Sequence, residues 1–344
     1  MYLLTGDIGG TRARFRILDG RSRHWRIRLE RNFPSHHFES FTEAVEYCLS
    51  DLSPLERDRI AEAWFAVAGP VHQGTVQFTN LPWKVDEETL AMELRLSDVH
   101  LINDLEALAH SIPALGLEQV SRVQEGQAGG DRGLVIAAGT GLGMAGWQIG
   151  PRGIQTFPSE GGHSDLAPVT DDDLALLQTL RKRHEHVSWE RVLSGPGLAE
   201  LYDYRCNLAR RRDIEGGDDE NRSASRVTRL ADRINDPVAV EAIEQFTRLL
   251  GAFAGNAALH WMATGGVYLA GGVVAHLHSY LSGENFLEAF LAKGRMRALM
   301  ERMPVSVITE ADAGLEGISR LAMRGNHRAP DPEGQKSESL HSHP

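Results

Sequence analysis

Short apolar runs of strand length alternate with longer stretches of helical periodicity through the first third of the chain. Strands are predicted at Tyr2–Thr5, Arg14–Leu18, Trp25–Arg28, Ala63–Ala68 and His100–Ile102, and helices at Phe41–Leu52 and Glu87–Leu94. That order implies a mixed sheet covered by helices. A helix entered at Asp104 runs towards Ile112, Pro113 stops it, and a new strand system follows the turn Gly126–Gly133. Longer helical patterns cover Asp171–Arg183, Pro196–Cys206 and Val238–Met262, and Asp312–Met323 is amphipathic enough to fold back onto the first sheet. A hinge near 110–116 then gives a small N-terminal α/β domain (1–110 plus 312–325) and a larger one (111–311) with a cleft between them. The polar segment Arg212–Ser225 reads as a surface loop, and the tail Asn326–Pro344, with almost no apolar residue, as disordered.

One pattern occurs twice. An apolar strand, a glycine/threonine turn and a second strand span Tyr2–Leu18 and again Leu134–Ile149, with turns Gly6-Asp7-Ile8-Gly9-Gly10-Thr11 and Ala138-Gly139-Thr140-Gly141-Leu142-Gly143. Such turns let backbone N–H groups and threonine hydroxyls approach a phosphate. Two of them point to related halves closing on one polyphosphate. Gly141 to Gly146 also matches a dinucleotide fingerprint, but that motif must open a helix and Met144–Ile149 reads as strand. A Walker A loop is excluded, because none of the four lysines follows glycine in a Gly-Lys-Ser/Thr pattern.

Composition narrows the partners. With 36 basic against 47 acidic residues, a net charge of −11 argues against nucleic acid or anionic membrane. Two cysteines, Cys48 and Cys206, are too few for a disulfide framework and fit a reducing cytoplasm. Leu249–Gly283 carries no charged residue, yet Gly265-Gly266 and Gly271-Gly272 cut it into helix, strand (Val267–Ala270) and helix, which is a buried core segment rather than a membrane span.

The candidate chemistry lies at strand ends. Asp7, beside the first turn, is placed to hold Mg²⁺ or its waters, or else merely caps the turn. Asn103 and Asp104 leave a buried strand and enter a helix, where either is an ordinary N-cap, but they also sit at the domain junction where a strand end faces the cleft. Glu160 and His163 share a Gly-Gly turn that disfavours a zinc helix, and Glu190 lies in Trp189-Glu190-Arg191-Val192-Leu193-Ser194-Gly195-Pro196-Gly197.

Taken together, these motifs resemble the bacterial glucokinase family within the hexokinase/actin-like ATPase superfamily. The likeness spans about residues 2–324, in the order phosphate 1 (Gly6–Thr11), connecting segment (Ile102–Ala109), phosphate 2 (Ala138–Gly143), adenosine motif (Leu269–Val274) and second connecting helix (Ala311–Met323). It implies two actin-like (ribonuclease H-like) domains and phosphoryl transfer from ATP to the 6-hydroxyl of glucose. It further implies that Asn103 and Asp104 meet the sugar, with Asp104 as general base, and that Glu160, His163 and Glu190 fix the ring hydroxyls. ATP and Mg²⁺ would lie against Gly6, Asp7, Ile8, Gly9, Gly10, Thr11, Gly139, Thr140, Gly141, Gly271 and Gly272. A cytoplasmic homodimer acting at the first step of glycolysis goes with the resemblance. Two departures concern the nucleotide: Arg12 stands where the family usually has Asn, and Ala275 where proline is common. A kinase for another hexose and a non-catalytic sugar sensor remain alternatives. A regulator would need a helix-turn-helix ahead of the first turn, whereas the first strand begins at Tyr2.

Overall fold

The computed structural model describes residues 1–21, 24–78, 80–127, 129–151, 153–209 and 223–325. In chain order the first part reads β1 (Tyr2–Ile8), β2 (Arg12–Arg21), β3 (His24–Pro34), α1 (Phe41–Leu49), α2 (Pro54–Arg57), β4 (Ile60–Val67), β5 (Thr75–Gln77), β6 (Lys84–Asp86), α3 (Glu87–Leu94), β7 (Asp98–Asn103) and α4 (Asp104–Ser111). It continues with β8 (Val120–Gln124), β9 (Arg132–Ala138), β10 (Leu142–Gly150), β11 (Gly153–Ser159), α5 (Asp171–Leu180), α6 (Gly195–Leu208), α7 (Ala224–Ile234) and α8 (Pro237–Trp261). The last elements are β12 (Gly266–Ala270), α9 (Gly272–His276), α10 (His278–Leu281), α11 (Glu284–Leu291), α12 (Arg297–Met300), β13 (Val305–Ile308) and α13 (Ala313–Gly325).

Two sheets share one topology. In the first, β3-β2-β1 is an antiparallel meander and β4 and β7 extend it in parallel with β1. In the second, β11-β10-β9 is the same meander, β12 and β13 extend it in parallel, and β8 adds an antiparallel edge. The central strands are apolar on both faces because each sheet is covered on both sides. Phe41, Ala44 and Val45 of α1 cover one face of the first sheet, and α8 with Phe246, Leu249 and Phe253 covers the outer face of the second.

Helices α4 and α13 fill the space between the sheets. Leu105, Ala109 and Ile112 pack on Val135, Ala145 and Trp147 of the second sheet, whereas Leu315, Ile318 and Ala322 of α13 pack on Leu3, Leu18, Ala66 and Ala107. A Cβ on Gly317 would lie 1.8 Å from the Ala107 carbonyl oxygen, so only glycine lets α13 approach α4 this closely. Polar contacts fix the docking: Thr5 Oγ1 lies 3.1 Å from Ser319 Oγ, and Arg16 Nη1 donates to Glu316 at 3.0 Å.

Several elements depart from the sequence expectations. β3 runs over 11 residues, far beyond Trp25–Arg28, because its charged, mostly exposed face hides an edge strand from an apolar-run criterion. β8, β11 and β13 were not anticipated. Ser223 caps α7, so the polar segment ends in a helix rather than at Ser225; its residues 212–222 and the tail 326–344 lie outside the described residues. β10 is a strand through Gly150, so the dinucleotide-like glycines open no helix. Among the described residues no helix is long and apolar enough to cross a membrane.

Candidate active site

The carboxyl ends of β4, β7, β9 and β12 reach the cleft, with Asp7 near the end of β1 close enough to act on Asp104, while Glu160 and His163 follow β11 and Glu190 lies in the short turn Trp189–Arg191. A cavity of about 290 Å³ brings together Asn103, Asp104, Gly139, Gly141, Glu160, His163, Glu190 and Gly271. Gly69, Asn80, Met144 and Ser159 also line it, and sequence reasoning missed all four as site residues. Gly69 had one usable signal, its place just after β4. Met144 and Ser159 had none.

Asn103 is the N-cap of α4: its Oδ1 accepts from Leu105 N at 3.0 Å, and its Nδ2 donates to Gly69 O at 3.2 Å. One amide hydrogen remains for a ligand. Asp104 begins the helix, and its Oδ1 accepts from Leu105 N at 2.9 Å. Burial, and then the neighbouring Asp7 carboxylate, push Asp104 up to about 7, with Glu160 adding to the effect. A carboxylate poised there takes a proton readily near neutral pH.

Asp7 projects from β1 one residue before the strand ends, and burial raises its pKa against the opposing pull of Arg14. Arg14 Nη1 lies 3.4 Å from Asp7 Oδ2 and donates to Ala311 O at 2.9 Å, while its Nε is 3.4 Å from Asp312. A Cβ on Gly314 would come within 2.8 Å of the Asp7 carboxylate. Arg14 stands opposite Asp7 in the β1–β2 pairing, whereas the 311–314 segment was not read as a partner from the sequence, since it lies about 300 residues away. The first turn proper is Gly9–Thr11; Gly6 and Ile8 lie within β1, and a Cβ on Gly6 would meet Ile8, Phe15 and Phe65. Arg12 is exposed at the start of β2.

The second turn, Gly139–Gly141, is the same length and carries no charge. Gly139 O accepts from Gly195 N at 2.7 Å, which brings the start of α6 to it, and Thr140 is exposed. Gly271 adopts φ +95°, and a Cβ there would lie 2.3 Å from Ala138 O, so glycine is required where β12 hands over to α9. Around Gly139 and Gly272 a Cβ would meet nothing within 4 Å, so the backbone faces open space.

Glu190, His163 and Glu160 form an open cluster across from Asp104. Glu190 Oε2 accepts from Leu142 N at 2.9 Å, bracing the end of the second turn, and its Oε1 lies 3.9 Å from His163 Nδ1. His163 Nε2 lies 3.7 Å from Glu160 Oε2. With side chains 63% and 56% exposed, Glu160 and His163 point free polar atoms into the cleft. That suits a ligand rich in hydroxyls. Among the described residues no cluster of His, Cys, Asp or Glu would hold a metal by itself. The buried carboxylate of Asp7 is by itself a hard oxygen donor of the kind Mg²⁺ takes.

The family model described as Glucokinase matches residues 4–325. A glucokinase of Marinobacter nauticus is 37% identical over 325 residues, covering 92% of this chain and 96% of its own. The crystal structure of a glucokinase from an Antarctic psychrotroph superposes with a TM-score of 0.79 at 33% identity, covering 93% and 98% of the two chains. A ROK family glucokinase from Streptomyces griseus, solved in complex with glucose and AMPPNP, shares the fold at 22% identity and a TM-score of 0.63, over 94% and 100% of the two chains.

Proposed function

The chain belongs to the glucokinase family, and from that premise we propose that it transfers the γ-phosphoryl group of ATP to the 6-hydroxyl of glucose, giving glucose 6-phosphate and ADP. The observation that carries this reading is Asp104: a carboxylate at a strand end, raised to about 7, facing a cleft whose far wall is Glu160, His163 and Glu190.

In this reading Glu160, His163 and Glu190 accept and donate hydrogen bonds to the ring hydroxyls, and the free amide hydrogen of Asn103 adds another. Asp104 takes the proton of the 6-hydroxyl as its oxygen attacks the γ-phosphorus, and the bond to ADP breaks in line. Phosphoryl transfer needs little covalent help from the protein, so orienting the hydroxyl is most of the catalysis. Gly9–Thr11 and Gly139–Gly141 offer backbone N–H groups to the phosphates, and Gly271-Gly272 makes room for the nucleoside. Asp7 would hold Mg²⁺ through water, and the ion supplies charge neutralisation on the phosphate oxygens. The division into 1–110 plus 312–325 and 111–311, closing on the sugar, belongs to the same proposal, as do Mg²⁺, a cytoplasmic location, a homodimer and a role at the first step of glycolysis. The α4/α13 layer between the two sheets supports the first of these, and two buried free thiols suit a reducing compartment.

The test is phosphorus NMR of the purified protein with Mg-ATP and a panel of hexoses. Glucose 6-phosphate should accumulate with glucose, and the epimer galactose should react at least tenfold more slowly, because a misplaced hydroxyl leaves a carboxylate unpaired. Preferential phosphorylation of another hexose would replace glucose in the proposal.

A further inference from the structure

A second cavity, of about 670 Å³, lies behind the sugar cleft and shares Met144, Ser159 and Gly161 with it or with the turn that separates them. Both sugar-facing segments are partitions between the two spaces. On the first, Glu160 and His163 face the cleft while Gly161, Ser164 and Asp165 face the cavity. On the second, Glu190 faces the cleft and its neighbour Trp189 faces the cavity. The two partitions are tied together, with Trp189 N donating to Ser164 O at 3.0 Å. A Cβ on Gly161 would lie 2.5 Å from Met144 Cε, so the turn rests on a side chain that borders both spaces.

The chemistry of the cavity differs from that of the cleft. Its walls are rings: Phe157 lies against Trp261 at 5.2 Å and Trp189 against Phe253 at 5.4 Å between centroids. Trp189 is 3% exposed and Asn256 is half-buried, and an indole and a side-chain amide thus both border the space. The carboxylate on this wall, Asp165, is paired with His186 at 2.9 Å and disfavours an anion. An indole N–H and a side-chain amide among aromatic walls suit a flat, uncharged molecule with an oxygen acceptor.

We propose that this second cavity binds a neutral aromatic compound carrying a carbonyl or hydroxyl oxygen, and that its occupancy is coupled to sugar binding through the Glu160–His163 turn and Trp189-Glu190. The acceptor meets Trp189 and Asn256, and the ring lies between Phe157, Trp261 and Phe253. A ligand filling the cavity packs against the turn that presents Glu160 and His163, so the ligand and the sugar bind with mutual dependence. The binding half stands without any assignment of the cleft. The coupling half rests on the sugar reading.

The probe is prodan, an uncharged naphthalene with one ketone, followed by energy transfer from tryptophan in the full chain. Saturable binding is expected, weakened about tenfold in Asn256→Leu and lost in Ala167→Trp, which blocks the cavity from an exposed wall position. Both variants are checked for unchanged circular dichroism and melting. Saturating glucose should change the prodan affinity by about fivefold or more, and prodan should change the glucose affinity by the same factor. Absence of saturable binding, or binding undiminished in folded Ala167→Trp, overturns the site. Prodan and glucose that bind independently overturn the coupling, and a protein that binds prodan but not glucose refutes the sugar reading alone.

Discussion

The two glycine hairpins are the same backbone with different chemistry. β1–β2 and β9–β10 both pair antiparallel across a three-residue turn, and both central strands continue into a parallel neighbour, β4 or β12. The first carries Asp7, held by Arg14 and crowded by Gly314. The second carries only backbone and Thr140, and takes its polar support from Glu190 and from the start of α6. In the proposed reading a shared turn geometry would build the phosphate cradle, while charge is concentrated on one side, next to Asp104. Each half has a different partner: the first the 311–314 segment, the second Glu190 of the cleft wall.

The largest effect expected is at the charged side. Asp104→Asn should lower kcat by about a thousandfold or more while glucose still binds, as titration calorimetry against glucose would register. Near-normal turnover would remove Asp104 from the role of base. The same variant has a stability signature. Because the folded pKa is raised from 3.8 to about 7, the protonated carboxyl's contribution is fully present below the lower value and is lost as pH rises through the upper one. Asp104→Asn should therefore melt higher than the parent at pH 8, with the gap closing towards pH 4. A gap independent of pH would show that burial of this charge costs nothing.

A smaller change is expected at the sugar wall. Glu160→Gln keeps the shape but gives up a charge-assisted hydrogen bond to a hydroxyl, so the glucose KM should rise about tenfold with kcat less affected. An unchanged KM would make Glu160 structural. The smallest effect belongs to the uncharged hairpin: Thr140→Val, at an exposed turn position, should alter the ATP KM by no more than about threefold. A loss as large as that of Asp104→Asn would mean the hairpins are not unequal in the way described.

What the sequence revealed follows from where its physics is local. The β1, β4 and β9 interiors are apolar runs bounded by glycine, and Asp104 stands at a strand-to-helix junction, so both were readable. The N-cap expectation for Asn103 and the helical starts at Phe41 and Asp171 rest on adjacent residues in the same way. β3 was cut short because an edge strand rich in arginine lacks the apolar alternation of a buried one, and β11 was missed altogether because it is an edge strand with a single buried residue and contains Pro158. Arg14 faces Asp7 across the β1–β2 hairpin, but Asp312 and Gly314 could not be found by spacing at all. Their link to Asp7 exists only after α13 has folded back over β1, and Gly317 decides how closely it lies there.

The most direct test of the central claim is the pH dependence of kcat/KM for glucose in the parent and in Asp7→Asn. If Asp104 is the base and Asp7 raises it, the parent's acid limb falls near pH 7, activity rising as Asp104 loses its proton. Removing the like charge at Asp7 should then move that limb to lower pH, even though overall activity drops with the loss of Mg²⁺ support. An acid limb that stays in place in Asp7→Asn, or a parent profile flat from pH 5 to 8, would contradict the account.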